Sequence, residues 1–413
     1  MNSFNPSTTT AEKKLRWMDG LIPPTSRNES RRLWKVRTSP KKEPIMKFSC
    51  KKEDICAAIG NVSKAVSVKS TITALEGIRI KLSYTVLELT GYDLELGIRS
   101  TIEAVSEDCG EFVVNARLFS EITRKMSDEI LTFETDEMLN IRITGAVTEY
   151  CISAMSAEEY PDLPEVSDEH RFLVPQDQLK SMINQTAHAV SLNENKPVMT
   201  GALFDITEDG NFNMVTSDGY RLALRTEHID TAEVHRFVVP ARTLSEVSRL
   251  LKEDAKAPCG IYNNFKHIVF ELGEITVFSR LLEGDFHNYR ASIPPDKRTE
   301  VIVRTRELVN CLERCALLIN EKNKAPVRCV FENGTVKVSC KTGIGSISDT
   351  IPVDLSGDAV TIGFNNKFML DALRASECDK LRIHLSGGNR VVKIIPPEGD
   401  SFVFLVMPVD LKY

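Results

Sequence analysis

Apolar residues recur at helical spacing in six stretches of this chain and alternate with polar ones in many of the stretches between. Ile55, Ile59, Val62 and Val66 share one helical face, as do Leu179, Ile183 and Val190, and Leu308, Leu312, Cys315 and Ile319. With 3.6 residues per turn, positions three, four and seven apart fall on one side of a helix. Three further stretches carry narrower apolar stripes: Phe119, Ile122 and Met126; Leu244, Val247 and Leu251; Met369, Ala372 and Leu373. Alternating runs at 78–82, 86–89, 130–133, 139–143, 268–271 and 276–279 predict half-buried strands. Phe112-Val-Val114 and Phe237-Val-Val239 read as buried strands feeding a striped helix. Short strands around Phe48, Phe172 and Val301 lead into the first kind of helix. Each unit is thus strand, helix, strands, helix, strands. That order predicts an α+β fold with antiparallel sheet, because long crossover helices are too few for a parallel one.

The striped helices share a charge pattern at a constant interval. Arg117, Glu121 and Arg124 recur 125 residues later as Arg242, Glu246 and Arg249, and 125 later again as Lys367, Asp371 and Arg374. Each copy sets basic, acidic, basic along the face opposite the apolar stripe. For a single helix this is an ordinary solvated face with a local ion pair, worth only ~0.3–0.5 kcal/mol. Kept in phase three times, it predicts three similar domains presenting similar helices to one partner. The interleaved acids would keep attraction to phosphate weak and favour mobility over tight binding.

Proline-bearing stretches separate the units. Tyr160-Pro-Asp-Leu-Pro164 and Ile293-Pro-Pro295 read as extended linkers, since proline cannot donate to a ladder and restricts its neighbour. The domains expected are 46–164, 172–295 and 299–413. A chain of 413 residues is too long for one ordinary core and accommodates such a division.

Residues 1–45 differ from the rest. They hold ten Lys/Arg against four Asp/Glu, hence +6, which leaves −12 for the body of a chain whose total is −6. Rich in Ser, Thr, Pro and basic residues, they read as a disordered basic extension. A genuine tail or a start assigned upstream of Met46 would each produce it, and a transit peptide fits less well. The acidic body argues against ordinary high-affinity DNA binding but leaves room for local basic stripes. No apolar stretch approaches the ~20 residues of a membrane-spanning helix, and no secretory apolar core opens the chain. The ten cysteines include no CxxC pair and read as reduced, buried thiols of a cytoplasmic protein.

Signs of catalysis are weak. The seven histidines show no metal spacing, and neither HExxH nor GxSxG occurs. His188 lies in a helical pattern and reads as packed or superficial. Gly343-Ile-Gly345 lacks the rest of a dinucleotide fingerprint, and Gly387-Gly388 reads as a turn. Thr216-Ser-Asp-Gly-Tyr-Arg-Leu222 is a strong hairpin signal, echoed by Thr90-Gly-Tyr-Asp-Leu94. Phe402-Val-Phe-Leu-Val-Met-Pro408 reads as a final core strand stopped by proline, with residues beyond it free to line a groove. No catalytic residue, cofactor or metal is expected.

Four segments carry a resemblance: Ser217-Asp-Gly-Tyr-Arg-Leu222; Leu282-Glu-Gly-Asp-Phe-His-Asn-Tyr-Arg290 with Ile293-Pro294; Leu318-Ile-Asn-Glu-Lys322; and Val406-Met-Pro408 with Leu411. Together they make the chain from Met46 to Leu411 resemble the bacterial sliding clamp family, the beta subunits of DNA polymerase III. The resemblance implies three domains of the DNA clamp fold, each with two helices facing the interior of a ring and antiparallel sheets outside. It implies a head-to-tail homodimer encircling double-stranded DNA without reading its sequence, and no chemistry by the ring itself. The implied partners are the replicative polymerase, an ATP-dependent clamp loader and repair polymerases.

Carried over by residue, the family's partner-peptide groove is formed by Ser217, Gly219, Tyr220, Arg221, Leu222, Pro294, Leu405, Val406, Met407, Pro408 and Leu411, flanked by Lys196 and Met199. Histidine often stands in the family where Tyr220 is, and arginine where Lys196 is, so the peptide preference stays open. The subunit contact falls on Tyr150 and Ile152 facing Leu317 and Leu318, with Arg314 nearby. DNA-facing positions are Lys64 and Lys69, then Arg117, Arg124, Arg242, Arg249, Lys367 and Arg374 from the stripes. The competing class is a small-molecule enzyme or binding protein on the same triplicated scaffold. It would need a concave site with convergent polar groups.

Overall fold

The computed structural model describes residues 46–106, 108–253, 257–295, 297–320 and 325–411. The basic extension 1–45 lies outside the described residues, as do Asp296 of the second linker and Glu321 and Lys322 of the Leu318–Lys322 segment.

The chain repeats one sequence of elements three times: strand, helix, a run of strands, helix, three strands. In the first repeat Met46–Lys51 leads into helix α1 (Lys52–Val62), and Gly77–Ser83, Val86–Tyr92, Leu96–Glu103 and Cys109–Asn115 lead into α2 (Ala116–Lys125). In the second, α3 spans Gln176–Thr186 and α4 Ala241–Leu250; in the third, α5 spans Thr305–Ala316 and α6 Asn366–Ala375. Short 3-10 turns, Ser63–Ala65 and Ala187–Ala189, extend α1 and α3, so the first-kind helices begin and end earlier than their apolar periods suggest.

The apolar stripes lie where their spacing puts them. Phe119, Ile122, Met126, Leu244, Val247, Leu251, Met369, Ala372 and Leu373 are all buried. Asn115 caps α2 by accepting the Leu118 N–H, and Asn365 caps α6 by accepting those of Lys367 and Phe368. At α4 the same position is Pro240, whose fixed φ of −56° sets the entry without a side-chain cap. Within each repeat the two helices pack together, α1 on α2, α3 on α4 and α5 on α6, and α3 also meets α6 of the next repeat.

Among the described residues every strand pair is antiparallel. Four sheets result, and the two larger ones run across the boundaries between repeats. Leu96–Glu103 of the first repeat pairs with Ile275–Arg280 of the second, making an eight-stranded sheet. Arg221–His228 of the second pairs with Phe402–Val406 of the third, making a nine-stranded one. The remaining four-stranded sheets end on edge strands, Glu149–Ser153 and Gly345–Pro352. Leu139, expected in a strand, has φ +57° and turns the chain into Asn140–Thr144 instead. All ten cysteines are free thiols. Six are buried, but Cys109 and Cys151 are exposed, against the expectation that all are hidden.

Candidate functional site

The seam between the second and third repeats carries an open groove of about 770 Å³. Leu222 and Leu405 face each other across the paired strands and line it from the sheet. Ile293 and Pro294 line it from the linker, and Met199 and Met407 stand at its flanks. Tyr220, two-thirds exposed, stands on the lip beside the exposed Lys196.

The hairpin that forms one end is built from its own side chains. Asp218 Oδ1 accepts the N–H groups of Tyr220 at 2.8 Å and Arg221 at 3.0 Å. Ser217 Oγ accepts the Gly219 N–H at 3.2 Å and donates to the Arg221 carbonyl at 3.0 Å. Gly219 takes φ +90°, which side chains other than glycine's resist. Arg221 turns inward: its Nε meets Asp218 Oδ2 at 3.0 Å, its Nη1 meets Asp371 Oδ2 at 2.7 Å, and its guanidinium lies 4.4 Å from the Phe368 ring centre. Asp371 is the acidic member of the third charge stripe. It serves this inter-repeat bridge rather than its own helix, a partnership invisible at a separation of 150 residues.

Behind the seam His188 packs edge-on against Phe404, and its Nδ1 is sealed from solvent. Burial, followed by the charge of Arg221, pushes its pKa down to about 4. His287 also lines the groove, and burial lowers its pKa too.

Ten of the thirteen expected groove residues line it: Lys196, Met199, Ser217, Gly219, Tyr220, Arg221, Leu222, Pro294, Leu405 and Met407. Val406, Pro408 and Leu411 are not among its lining residues. Alternate residues of a strand face opposite ways, so with Leu405 toward the groove Val406 enters the core of the third repeat. The Val409 N–H donates to the Gly363 carbonyl at 2.9 Å and turns the chain end away. Leu411 then covers Gly363, where a Cβ would stand 2.9 Å from its Cδ2. The residues missed were chiefly those of the linker and the turn 386–391. Ala291, Ser292 and Pro295 adjoin the expected Pro294, whereas Asn389 and Arg390 follow a Gly-Gly pair that read only as a turn.

The basic positions divide by partner. Arg117 pairs with Glu121 and Arg249 with Glu246 on their own helices, while Arg374 reaches Glu313 on α5. Arg242 leaves its stripe to bridge repeats, meeting Asp93 at 2.6 Å and donating to the Lys64 carbonyl at 3.3 Å. Arg124 donates to the Ser120 carbonyl. Lys64, Lys69 and Lys367 are exposed, with no ion-pair partner among the described residues.

Tyr150 and Ile152 lie on the edge strand Glu149–Ser153, both half-buried. Leu317, 81 % exposed, and Leu318 follow α5 in the third repeat. Beside them Arg314 Nε meets Asp349 Oδ2 at 2.7 Å on the other edge strand, Gly345–Pro352. The guanidinium holds the Asp349 carboxyl below its ordinary range, and burial pushes the adjoining Cys311 thiol up to about 12. Among the described residues no group of three or more His, Cys, Asp or Glu can hold a metal, and no helix is long and apolar enough to cross a membrane.

A two-helix unit repeated three times, with sheet continuous across both internal seams, is the architecture of a DNA clamp subunit. Three successive family models match: the N-terminal domain of the DNA polymerase III beta subunit at residues 46–164, the central domain at 173–288 and the C-terminal domain at 290–410. The chain belongs to the DNA polymerase III beta subunit family. The beta sliding clamp of Bacillus subtilis is 32% identical over 377 residues, covering 88% of this chain and 99% of that protein. That of Halalkalibacterium halodurans is 31% identical over 381 residues, with the same shares covered. Among solved structures, the B. subtilis sliding clamp superposes with a TM-score of 0.86 at 30% identity, covering 89% of this chain and all of that one. A Pseudomonas aeruginosa clamp bound to griselimycin gives 0.83 at 25% identity, over 89% and 100%.

Proposed function

We infer that this chain is half of a sliding clamp, a ring that encircles double-stranded DNA and tethers the replicative polymerase and repair proteins to it. The observation that carries this reading is the pair of open sheet edges. At each internal seam the third strand after a repeat's first helix pairs with the last strand of the next repeat. In the third repeat that strand is Gly345–Pro352, and the last strand of the first repeat is Glu149–Ser153. Both are edges. A second copy placed head to tail satisfies each with the pairing the chain already uses twice, and the ring closes with six units. Tyr150, Ile152, Arg314, Leu317 and Leu318 fall at that contact. The three repeats, taken as domains 46–164, 172–295 and 299–413, are then equivalent around the ring.

Such a ring holds DNA by topology, which suits an acidic body with scattered cations. The uncommitted Lys64, Lys69 and Lys367 are the foremost candidates for phosphate contact. Arg117, Arg124, Arg249 and Arg374 are secondary, and Arg242 is engaged between repeats. The clamp is a non-catalytic subunit, opened by an ATP-driven loader, and works in the bacterial cytoplasm. The groove at the second seam takes a short, partly apolar peptide from the polymerase, loader or repair proteins. Its Leu, Ile and Met lining supports this over the enzyme alternative, which needs convergent polar groups.

Retention after loading tests the ring. The protein should stay on a nicked circular plasmid through a high-salt gel filtration and leave when the plasmid is linearised. Equal retention on both forms would overturn encirclement. Fluorescein-labelled griselimycin should bind, and Met407→Ala should weaken it about tenfold.

A further inference from the structure

We infer that Asp205 is a positioning residue for the groove, holding its linker side in place through Tyr289 and Arg290. The inference rests on the groove reading above.

Asp205 lies in the strand Gly201–Ile206 and is only 6% exposed. Its Oδ1 accepts from Arg236 Nη1 at 2.8 Å. Its Oδ2 accepts from the Tyr289 hydroxyl at 2.6 Å and meets Arg290 Nη1 at 2.9 Å. Tyr289 is 2% exposed, and the Arg290 guanidinium lies 4.8 Å from its ring centre. One carboxylate therefore joins a sheet strand to two consecutive linker residues by charge-assisted bonds.

Those two residues open the short turn Tyr289–Ser292, which has no side-chain cap of its own. The next residues, Ile293 and Pro294, line the groove. Neither Pro294 nor Pro295 has an N–H to bind the segment elsewhere, and Ile293 donates only back to the Arg290 carbonyl at 3.2 Å. Beyond side-chain packing, the placement of this lining depends on the anchor just upstream. The first seam is tied differently: Arg79 of the strand Gly77–Ser83 meets Asp162 of the linker at 2.8 Å and Glu111 at 2.9 Å, and there the linker carboxylate stands in solvent. Counting from Gly77 and Gly201, which begin equivalent strands, the place of Asp205 is taken by the exposed Lys81. There the linker tyrosine, Tyr160, bonds to the Thr90 carbonyl instead. A buried carboxylate at this position thus goes with the seam that stays open.

The test compares the full chain with Asp205→Asn, Tyr289→Phe and the double variant. Binding of fluorescein-labelled griselimycin is read by anisotropy, and hydrogen exchange is read across residues 291–293 without ligand. Asp205→Asn should weaken binding about tenfold and Tyr289→Phe about threefold, with the double variant no worse than about tenfold because both changes break one anchor. Exchange at 291–293 should rise in each variant while the rest of the second repeat keeps its protection. Unchanged affinity and exchange in Asp205→Asn would overturn the inference, and so would effects that multiply in the double variant. Tyr289→Phe keeps the ring and supplies the reading if Asp205→Asn fails to fold. Met407→Ala separates the two levels. If it leaves binding intact, the groove reading falls; if it weakens binding and Asp205→Asn does not, only the role of Asp205 falls.

Discussion

The two internal seams share a backbone plan and differ in what fills them. At the first, Tyr92 stands opposite Gly97 at the end of the hairpin; at the second, Ser217 stands opposite Leu222, 125 residues on in both strands. Leu163 of the first linker enters the space beside Gly97, where a Cβ would lie 2.4 Å from its Cδ2. Tyr92 and Tyr160 close around it. At the second seam a small serine replaces the tyrosine, leucine replaces the glycine, and the linker's Ile293 and Pro294 stand back to leave the groove. Both seams carry an Arg–Asp bridge between a hairpin and a helix of the next repeat, with the charges exchanged: Asp93 to Arg242, then Arg221 to Asp371. An open or a plugged seam thus follows from a handful of side-chain volumes on a repeated frame.

The third seam, between two copies, is the most sensitive place to break the comparison. Leu318→Asp should yield monomers, because an unpaired carboxylate closed into an apolar contact costs several kcal/mol, more than ~3. Sedimentation velocity reads this directly, and a dimer that persists would remove the proposed contact.

The next effect belongs to the second seam alone. His188 has a depressed pKa of about 4, so it stays neutral in the fold where the unfolded chain already takes up a proton. The stabilisation is complete above about pH 6.5 and is lost as pH falls toward 4, by ~3 kcal/mol for this group. Urea unfolding of the wild type and His188→Gln at pH 7 and pH 4.5 should show the gap between them shrinking with acid. A constant gap would show that the imidazole does not titrate as its burial demands.

Asp371→Asn should cost about 1–2 kcal/mol by leaving Arg221, only a tenth exposed, with Asp218 as its one remaining charged partner. Asp93→Asn should cost less, since Arg242 is half in solvent and its pairing is screened. Equal shifts in urea midpoint would mean the two bridges are interchangeable. The smallest effect is Gly97→Ala, at about 1 kcal/mol, because Leu163 can rotate out of its seat. Adding Leu163→Ala should recover part of that loss, and a simple sum of the two penalties would argue against the plug.

Much of this was legible beforehand for a physical reason. The apolar stripes of α2, α4 and α6 report burial through a fixed period, and the 125-residue interval reports a repeated frame whatever its details. Hairpin chemistry at Asp218-Gly219 is local and so is readable. The interpretation of the charge stripe as one surface held less well. Asp371 and Arg242 take partners in other repeats, and such pairing depends on which helix lies beside which hairpin. Likewise Leu405 and Met407 line the groove while Val406 is core, a matter of strand facing that a quoted motif does not resolve.

Composition, period and interval by themselves determined that this chain makes three α+β repeats with striped helices and proline-bearing links. Those properties rest on interactions among residues close in sequence. Tertiary structure alone decided that one seam is plugged by Leu163 and the other open, that Arg221 is tied to Asp371, and that a buried Asp205 reaches Tyr289 and Arg290. Each joins residues tens to more than a hundred positions apart. Packing brings them together, and no local pattern records the distance between them.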